Sequence, residues 1–178
     1  MYEFEGTPSV QSQVARVIGD SDESLAVAES LTGGLVGALV TDEPGASGFF
    51  DRALVTYTYE AKREELGVQQ EVLDRIGAVN GIVAEQMARG VRNMAGTTWG
   101  VSTTGIAGPP DDEHEQPVGT VYVGVVRSAV GGYEETDVTI ERYEFDGSRG
   151  EIKELAAREA LVTLLSMART DTTGSVPQ

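Results

Sequence analysis

Hydrophobic residues recur along the chain with two periods, one typical of helices and one typical of strands. In the stretch 8–18 the valines and the isoleucine fall at helical spacing, and Pro8 suits the first turn of a helix. The stretch 24–30, SLAVAES, is short and largely apolar and is soon followed by glycines. This pattern favours a buried strand that leads into a helix over about 33–41.

The rest of the chain continues this alternation of helices and strands. The stretch 80–96 sets alanine, methionine and valine on one face of a helix, with Asn80 as its candidate N-cap. The other segments are predicted as strands over 52–59, 98–105, 119–127 and 136–145 and as helices over 60–67, 70–77 and 148–167. This order indicates an α/β fold with a mixed sheet.

The length of the chain sets the expected number of domains. Its 178 residues can bury one core, and they show no internal repeat and no domain linker. We therefore predict a single domain over 1–168 and a polar tail over 169–178 that is expected to be disordered. The irregular stretch 105–117, with its prolines and charges, is expected to form an exposed loop.

Charge narrows the possible partners. The chain has 29 acidic and 13 basic residues, which gives a formal net charge of -16. Such a surface repels phosphate backbones, so we expect no nucleic-acid partner. The start of the chain lacks a signal-peptide pattern and no apolar run is long enough for a membrane span, which predicts a cytoplasmic protein. The same acidity suggests, as a hypothesis, a salt-adapted cytoplasm.

The residue types present limit the available chemistry. There is no cysteine, which excludes disulfides, thiolate metal sites and a cysteine nucleophile. The only histidine, His114, lies in the acidic run 111–115, and the spacing there matches no recognised set of metal ligands. We predict no metal and no cofactor. Covalent chemistry would have to use oxygen and nitrogen.

Ser30 follows the first predicted strand, where Gly33 and Gly34 open a helix. Free backbone N–H groups in that first turn would suit an oxyanion or a phosphate beside the serine hydroxyl. The stretch is neither a Walker loop, nor a dinucleotide fingerprint, nor a G-x-S-x-G nucleophile elbow. An ordinary tight turn is the alternative, with Glu29 as a solvated acid and Thr32 as the helix N-cap.

Two further strand ends carry polar residues. Tyr57, Tyr59 and Lys62 follow the second strand, in the region where open α/β sheets form their ligand crevice. A partly desolvated lysine there has a lowered pKa and can act as general base to a serine. The alternative is an exposed lysine paired with Glu65. In the stretch 101–110, hydroxyls and a glycine turn could supply N–H donors for an anion.

Three stretches together resemble the CinA C-terminal domain family, whose stand-alone members include PncC-like nicotinamide-nucleotide amidases. They are VAESLTGGLVGALVTDEPGASGFF, VTYTYEAKREELGV and VSTTGIAGP followed by PVGTVYVGV. The resemblance covers roughly 8–167 in the same order. It implies a three-layer α/β/α sandwich, a homodimer, and hydrolysis of nicotinamide mononucleotide to nicotinic acid mononucleotide and ammonia.

The resemblance also implies site residues. The family's serine and lysine pair falls on Ser30 and Lys62, and Tyr57, which matches a family position lining the same pocket, is expected to be catalytic with them. Substrate contacts are expected, by the same comparison and from the turns described above, at Glu29, Thr32, Gly33, Gly34, Thr104, Gly105, Ile106, Ala107 and Gly108. The amides around 32–34 are expected to hold the oxyanion.

Three departures from the family pattern bear on the site. Tyr59 stands where a smaller polar residue is usual, and it could crowd the pocket or stack on a ring. Gln116 replaces a basic residue, which removes one possible phosphate contact. The loop before it is unusually acidic for a site that receives an anion. A non-catalytic nucleotide-binding or assembly module with the same fold therefore remains the alternative, as does hydrolysis of another small amide.

Overall fold

The computed structural model describes residues 8–109, 116–128 and 137–172. Its helices are α1 (Val10–Gly19), α2 (Leu35–Thr41), α3 (Tyr59–Leu66), α4 (Gln70–Ile76), α5 (Gly81–Ala95) and α6 (Arg149–Thr172). Its strands are β1 (Leu25–Glu29), β2 (Phe50–Val55), β3 (Trp99–Gly105), β4 (Thr120–Arg127) and β5 (Asp137–Glu144). The predicted order of helices and strands is therefore confirmed.

The five strands form one mixed sheet in the order β2-β1-β3-β4-β5. β1 pairs in parallel with both β2 and β3, whereas β4 and β5 continue the sheet in antiparallel pairing. Because β1, β2 and β3 are parallel, their carboxyl ends meet at one edge of the sheet. Open α/β sheets bind ligands outside such an edge.

Helices cover the sheet on both faces. On β1, Leu25 and Val27 belong to one apolar cluster, which includes residues of α1, α2 and α6. The alternate residues Ala26 and Ala28 belong to a second cluster, which is built with residues of α3, α4 and α5. Successive strand residues point to opposite faces, so the two clusters are the two cores of the expected three-layer α/β/α sandwich.

Two predicted boundaries were wrong for identifiable reasons. The second strand ends at Val55, because Thr58 Oγ1 accepts the amide of Ala61 at 3.1 Å and starts α3 at Tyr59. The last helix continues to Thr172, so 169–172 are helical although we assigned them to the tail. Arg169 donates to Gln13 at 2.8 Å, which attaches this last turn to α1. The remaining tail residues lie outside the described residues.

The predicted cap of α5 agrees with the structure. Asn80 is the N-cap of α5, and its side chain accepts the amide of Val83 at 2.9 Å. Within the described parts of the chain, no helix is both long enough and apolar enough to cross a bilayer. The extent of the single domain, predicted over 1–168, stays a prediction.

Candidate active site

A cavity of about 450 Å³ lies at the carboxyl ends of β1 and β3. Its lining brings together many residues predicted from sequence, namely Ser30, Tyr57, Lys62, Thr104, Gly105, Ile106, Ala107 and Gly108. It also includes residues that sequence reasoning missed, namely Leu31, Ala78, Val79, Pro109 and Arg149. Segments that are far apart in the sequence therefore share one cavity.

Lys62 and Ser30 form a buried hydrogen-bonded pair in this cavity. The Nζ atom of Lys62 lies 2.9 Å from the Oγ atom of Ser30. It also donates to the backbone carbonyls of Thr56 at 2.8 Å and Tyr57 at 3.1 Å. Lys62 is only 1% exposed, which rules out the alternative of a surface lysine paired with Glu65.

Local structure explains why this lysine points inward. Thr58 caps α3 directly after β2, and the amide of Lys62 bonds the Thr58 carbonyl at 3.1 Å, one turn into the helix. The Thr56 amide in turn donates to the Glu29 carbonyl at 2.9 Å. Thr56 therefore contacts both sides of the pair. Its amide bonds the backbone just before Ser30, and its carbonyl bonds the side-chain nitrogen of Lys62 that contacts Ser30. The first turn of α3 and the end of β1 thus hold the side chains of Lys62 and Ser30 next to each other.

Burial makes Lys62 a base near neutral pH. Desolvation lowers the pKa of its side chain from 10.5 to about 8. A neutral amine has two N–H groups and one lone pair, and the two carbonyls can only accept. When both N–H groups serve the carbonyls of Thr56 and Tyr57, the lone pair is left for the hydroxyl proton of Ser30. The pair can thus activate a serine without histidine.

Glu29 does not lie in the cavity, contrary to its expected contact with substrate. Its side chain is fully buried, and its carboxylate accepts the amides of Gly34 at 2.8 Å, Val36 at 3.2 Å and Gly37 at 2.8 Å. These are donors at the start of α2, so Glu29 caps that helix. Glu29 is therefore neither a solvated acid nor a substrate contact.

The expected donors at 32–34 also serve other roles. The amide of Gly33 donates to the carbonyl of Ser30 at 3.2 Å, and that of Gly34 donates to Glu29. The Thr32 hydroxyl is buried against that of Thr103 at 2.7 Å, and Gly34, not Thr32, is the N-cap position of α2. These side chains and glycine amides are therefore not available to a substrate.

Two other amides in this turn are available. Among the described residues, none accepts a hydrogen bond from the amides of Leu31 and Thr32. Leu31 directly follows Ser30 and lines the cavity. In many serine hydrolases the amide after the nucleophile is one of the oxyanion donors. Leu31 thus replaces the glycines as the candidate donor.

The β3 end supplies the opposite wall. Thr104 faces the cavity and donates to the carbonyl of Ala78 at 2.8 Å, whereas Thr103 faces the other side of the sheet. The amide of Ile106 is used by the Thr120 carbonyl at 2.9 Å. Within the described chain no acceptor is found for the amides of Ala107 and Gly108. These two amides can therefore bind an anion.

Arg149 is the most informative residue that sequence reasoning missed. It donates to the carbonyl of Gly108 and, at 3.2 Å, to the hydroxyl of Tyr57, so its guanidinium lies at the cavity. One signal could have found it. A cation in the first turn of a helix opposes the helix dipole, and Arg149 is the first residue of α6.

The structure places two of the three departures from the family pattern, Tyr59 and Gln116. Tyr59 does not line the cavity, so it does not crowd it. Gln116 donates to the carbonyl of Val79 at 2.6 Å and is thus tied to the cavity wall. The acidic run 111–115 and His114 lie outside the described residues. In the described parts of the chain no group of acidic and histidine side chains could hold a metal ion.

The charge of the cavity differs from that of the whole chain. Its charged lining residues are Lys62 and Arg149, and no carboxylate is among the described lining residues. The chain as a whole has a formal net charge of -16. Cations concentrated at one cavity of an acidic protein favour an anionic ligand there.

The structure is that of an α/β protein with a buried, hydrogen-bonded serine and lysine pair at the carboxyl end of its parallel strands. The family model of the CinA C-terminal domain matches residues 7–168, so the chain belongs to that family. It is 40% identical over 156 residues to a CinA-like protein of Syntrophotalea carbinolica, covering 88% of this chain and 36% of the relative. A putative competence-damage inducible protein of Acetivibrio thermocellus is 42% identical over 146 residues, covering 82% and 34%.

Solved structures give the same result. The competence damage-inducible protein A of Klebsiella pneumoniae matches with a TM-score of 0.81 and 30% identity, covering 88% of this chain and 93% of that one. The competence/damage inducible protein CihA of Agrobacterium tumefaciens matches with a TM-score of 0.80 and 35% identity, covering 93% and 98%. The chain spans about a third of the length of the curated relatives it matches. These comparisons give no support to a salt-adapted origin.

The lowered pKa of Lys62 predicts the pH dependence of Ser30. A fluorophosphonate probe reacts with activated serines, and its reaction here requires the neutral form of Lys62. We expect the labelling rate to rise as pH increases, to reach half of its maximum at about pH 8, and to level off at higher pH. Intact-mass spectrometry follows the label, with Ser30→Ala to identify the site and Lys62→Met to remove the base. A rate that is flat between pH 6 and 9 would contradict this role of Lys62.

Proposed function

We propose that the protein is an amidohydrolase that converts nicotinamide mononucleotide to nicotinic acid mononucleotide and ammonia. One observation carries the proposal, namely the 2.9 Å contact between Lys62 Nζ and Ser30 Oγ inside a cavity that an anion can enter. The family resemblance supplies the substrate. A metal or a cofactor is not needed for this chemistry, because the nucleophile and the base are both side chains.

The first half of the reaction forms an ester. The neutral amine of Lys62 takes the proton of Ser30, and the Oγ atom attacks the carboxamide carbon. The Leu31 amide binds the resulting oxyanion. The ammonium group of Lys62 then protonates the leaving nitrogen, the C–N bond breaks, and ammonia departs.

The second half regenerates the enzyme. Lys62, again neutral, takes a proton from a water molecule that attacks the ester carbon. The bond to Ser30 Oγ breaks and this oxygen receives the proton from Lys62. The product acid releases its remaining proton to solvent and leaves as a carboxylate. The substrate itself carries charges of both signs, positive on its pyridine ring and negative on its phosphate. The two ends of the substrate therefore need protein groups of different charge around them.

Arg149 and the turn after β3 are the proposed phosphate contacts. The amides of Ala107 and Gly108 have no acceptor among the described residues, and both residues line the same cavity as Arg149, whose guanidinium contacts the Gly108 carbonyl. Charge-assisted bonds to a phosphate are the strong class of hydrogen bond. Arg149 thus supplies a cation in place of the basic residue that Gln116 replaces in the family pattern.

Two sequence features favour the alternative of a non-catalytic binding module, namely Tyr59 and the acidic loop. Tyr59 lies outside the cavity lining, and the acidic run 111–115 lies outside the described residues, so the module stays the alternative. A different small amide remains compatible with the same pair of side chains. The homodimer and the cytoplasmic location expected from the sequence stay predictions.

Turnover of nicotinamide mononucleotide tests the substrate and the pair together. We expect purified protein to release ammonia and nicotinic acid mononucleotide, detected by chromatography. Ser30→Ala and Lys62→Met should each lower kcat by at least about a thousandfold while the circular dichroism spectrum is kept. Folded protein that releases no product at low or at molar KCl would refute this substrate.

Arg149→Ala tests the phosphate contact. Losing a charge-assisted hydrogen bond costs about 1.5–3 kcal/mol, so we expect KM for the nucleotide to rise about tenfold to a hundredfold, with a smaller change in kcat. Nicotinamide riboside, which lacks the phosphate, should be affected much less. Arg158→Ala is the matched control, since Arg158 lies on the same helix and pairs with Glu154 at 2.9 Å. Equal effects on the two substrates would exclude a phosphate contact.

A further inference from the structure

Glu29 is a buried carboxylate whose side chain the proposed mechanism does not use. It is 0% exposed, and its two oxygens accept three backbone amides, from Gly34, Val36 and Gly37. Burying a charge is costly unless hydrogen bonds satisfy it. The amides at the start of α2 offset that cost and are satisfied in return. This arrangement exceeds an ordinary cap, in which one side-chain oxygen accepts one or two amides.

The position of Glu29 in the chain gives these bonds a second effect. Glu29 directly precedes Ser30, and its backbone is fixed in the sheet because its carbonyl accepts the Thr56 amide at 2.9 Å. Its side chain reaches forward to Gly34, on the far side of the turn. Both ends of the turn from Ser30 to Gly34 are therefore attached to one residue.

The glycines allow the turn to close in this way. Gly33 and Gly34 have φ values of +63° and +103°, which residues with a side chain rarely adopt. Their amides are consumed, by the Ser30 carbonyl and by Glu29 respectively. The two amides that remain without an acceptor among the described residues are those of Leu31 and Thr32, next to the nucleophile.

We propose that Glu29 is a positioning residue for the reaction at Ser30. Its carboxylate holds the 30–34 turn in the shape that leaves the Leu31 amide free to stabilise the oxyanion, and it acts through that turn without touching substrate. This proposal rests on the proposed function in assigning Ser30 as the nucleophile. It adds a residue whose loss impairs the chemical step more than the binding of substrate.

Substitution of Glu29 by glutamine is the direct test. Glutamine has one acceptor oxygen, and its NH₂ group would face at least one of the three amides, so the turn loses part of its attachment. We measure labelling of Ser30 by the fluorophosphonate probe, in which the serine oxygen displaces fluoride from phosphorus and Lys62 takes the serine proton. We expect the maximal labelling rate to fall about tenfold or more, with the probe concentration for half-maximal rate little changed.

Two further variants separate positioning from stability. Glu43→Gln is the matched control, because Glu43 accepts the Ser12 hydroxyl at 2.7 Å near the other end of α2. It should label at the wild-type rate. Glu29→Asp keeps the charge with one methylene less and should restore part of the rate; it also replaces Glu29→Gln if that variant does not fold.

The outcomes are distinct. Folded Glu29→Gln that labels at the wild-type rate would overturn the proposal, as would an equal loss in Glu43→Gln. A wild-type protein that labels at Ser30 but does not deamidate nicotinamide mononucleotide would refute the proposed substrate alone. A wild-type protein that does not label at Ser30 would refute both.

Discussion

The candidate site depends on the hydrogen bonds around the side-chain nitrogen of Lys62. Two backbone carbonyls and the Ser30 hydroxyl surround this nitrogen at 2.8–3.1 Å. The carbonyls fix its two hydrogens, and burial lowers its pKa to about 8. In the neutral amine the lone pair would then be aimed at Ser30. A chain without cysteine, and with one histidine in an acidic stretch, could activate a serine in this way.

The sheet and its helices create that environment. The parallel strands β1 and β2 bring Ser30 and Thr56 together, and the Thr58 cap starts α3 so that Lys62 points back to the sheet edge. Glu29 closes the turn after Ser30 on the other face. Backbone hydrogen bonds and helix caps thus hold Ser30 and Lys62 in place. Among the described residues, few charged side chains line the cavity. The acidic surface and the cationic cavity can coexist because they occupy different parts of the molecule.

The hydrophobic pattern was sufficient to predict the order of the elements, because helices such as α1 and α5 have a clear period and β1 is a short apolar run; Asn80 also marks the start of α5. Ser30 and Lys62 could be named because the stretches around them resemble the CinA C-terminal domain family; their local patterns alone left an ordinary turn and a surface lysine open. Contacts that depend on the path of the turn could not be predicted: Glu29 reaches amides five to eight residues ahead of it. Arg149 was also missed, since only the packing of α6 brings it to the cavity, 92 residues beyond Tyr57.

The most direct test of the central claim is a titration of Lys62 itself. The chain has only two lysines, Lys62 and Lys153, so protein labelled with ¹³C at lysine Cε gives two signals, and Lys153→Arg assigns them. We expect the chemical shift of Lys62 to titrate with a pKa of about 8, and this transition would report its lone pair becoming available to Ser30. A pKa above 10 for Lys62 in the folded protein would leave fewer than about one molecule in a thousand with a neutral amine at pH 7, against about one in ten at a pKa of about 8, and would contradict its role as the base.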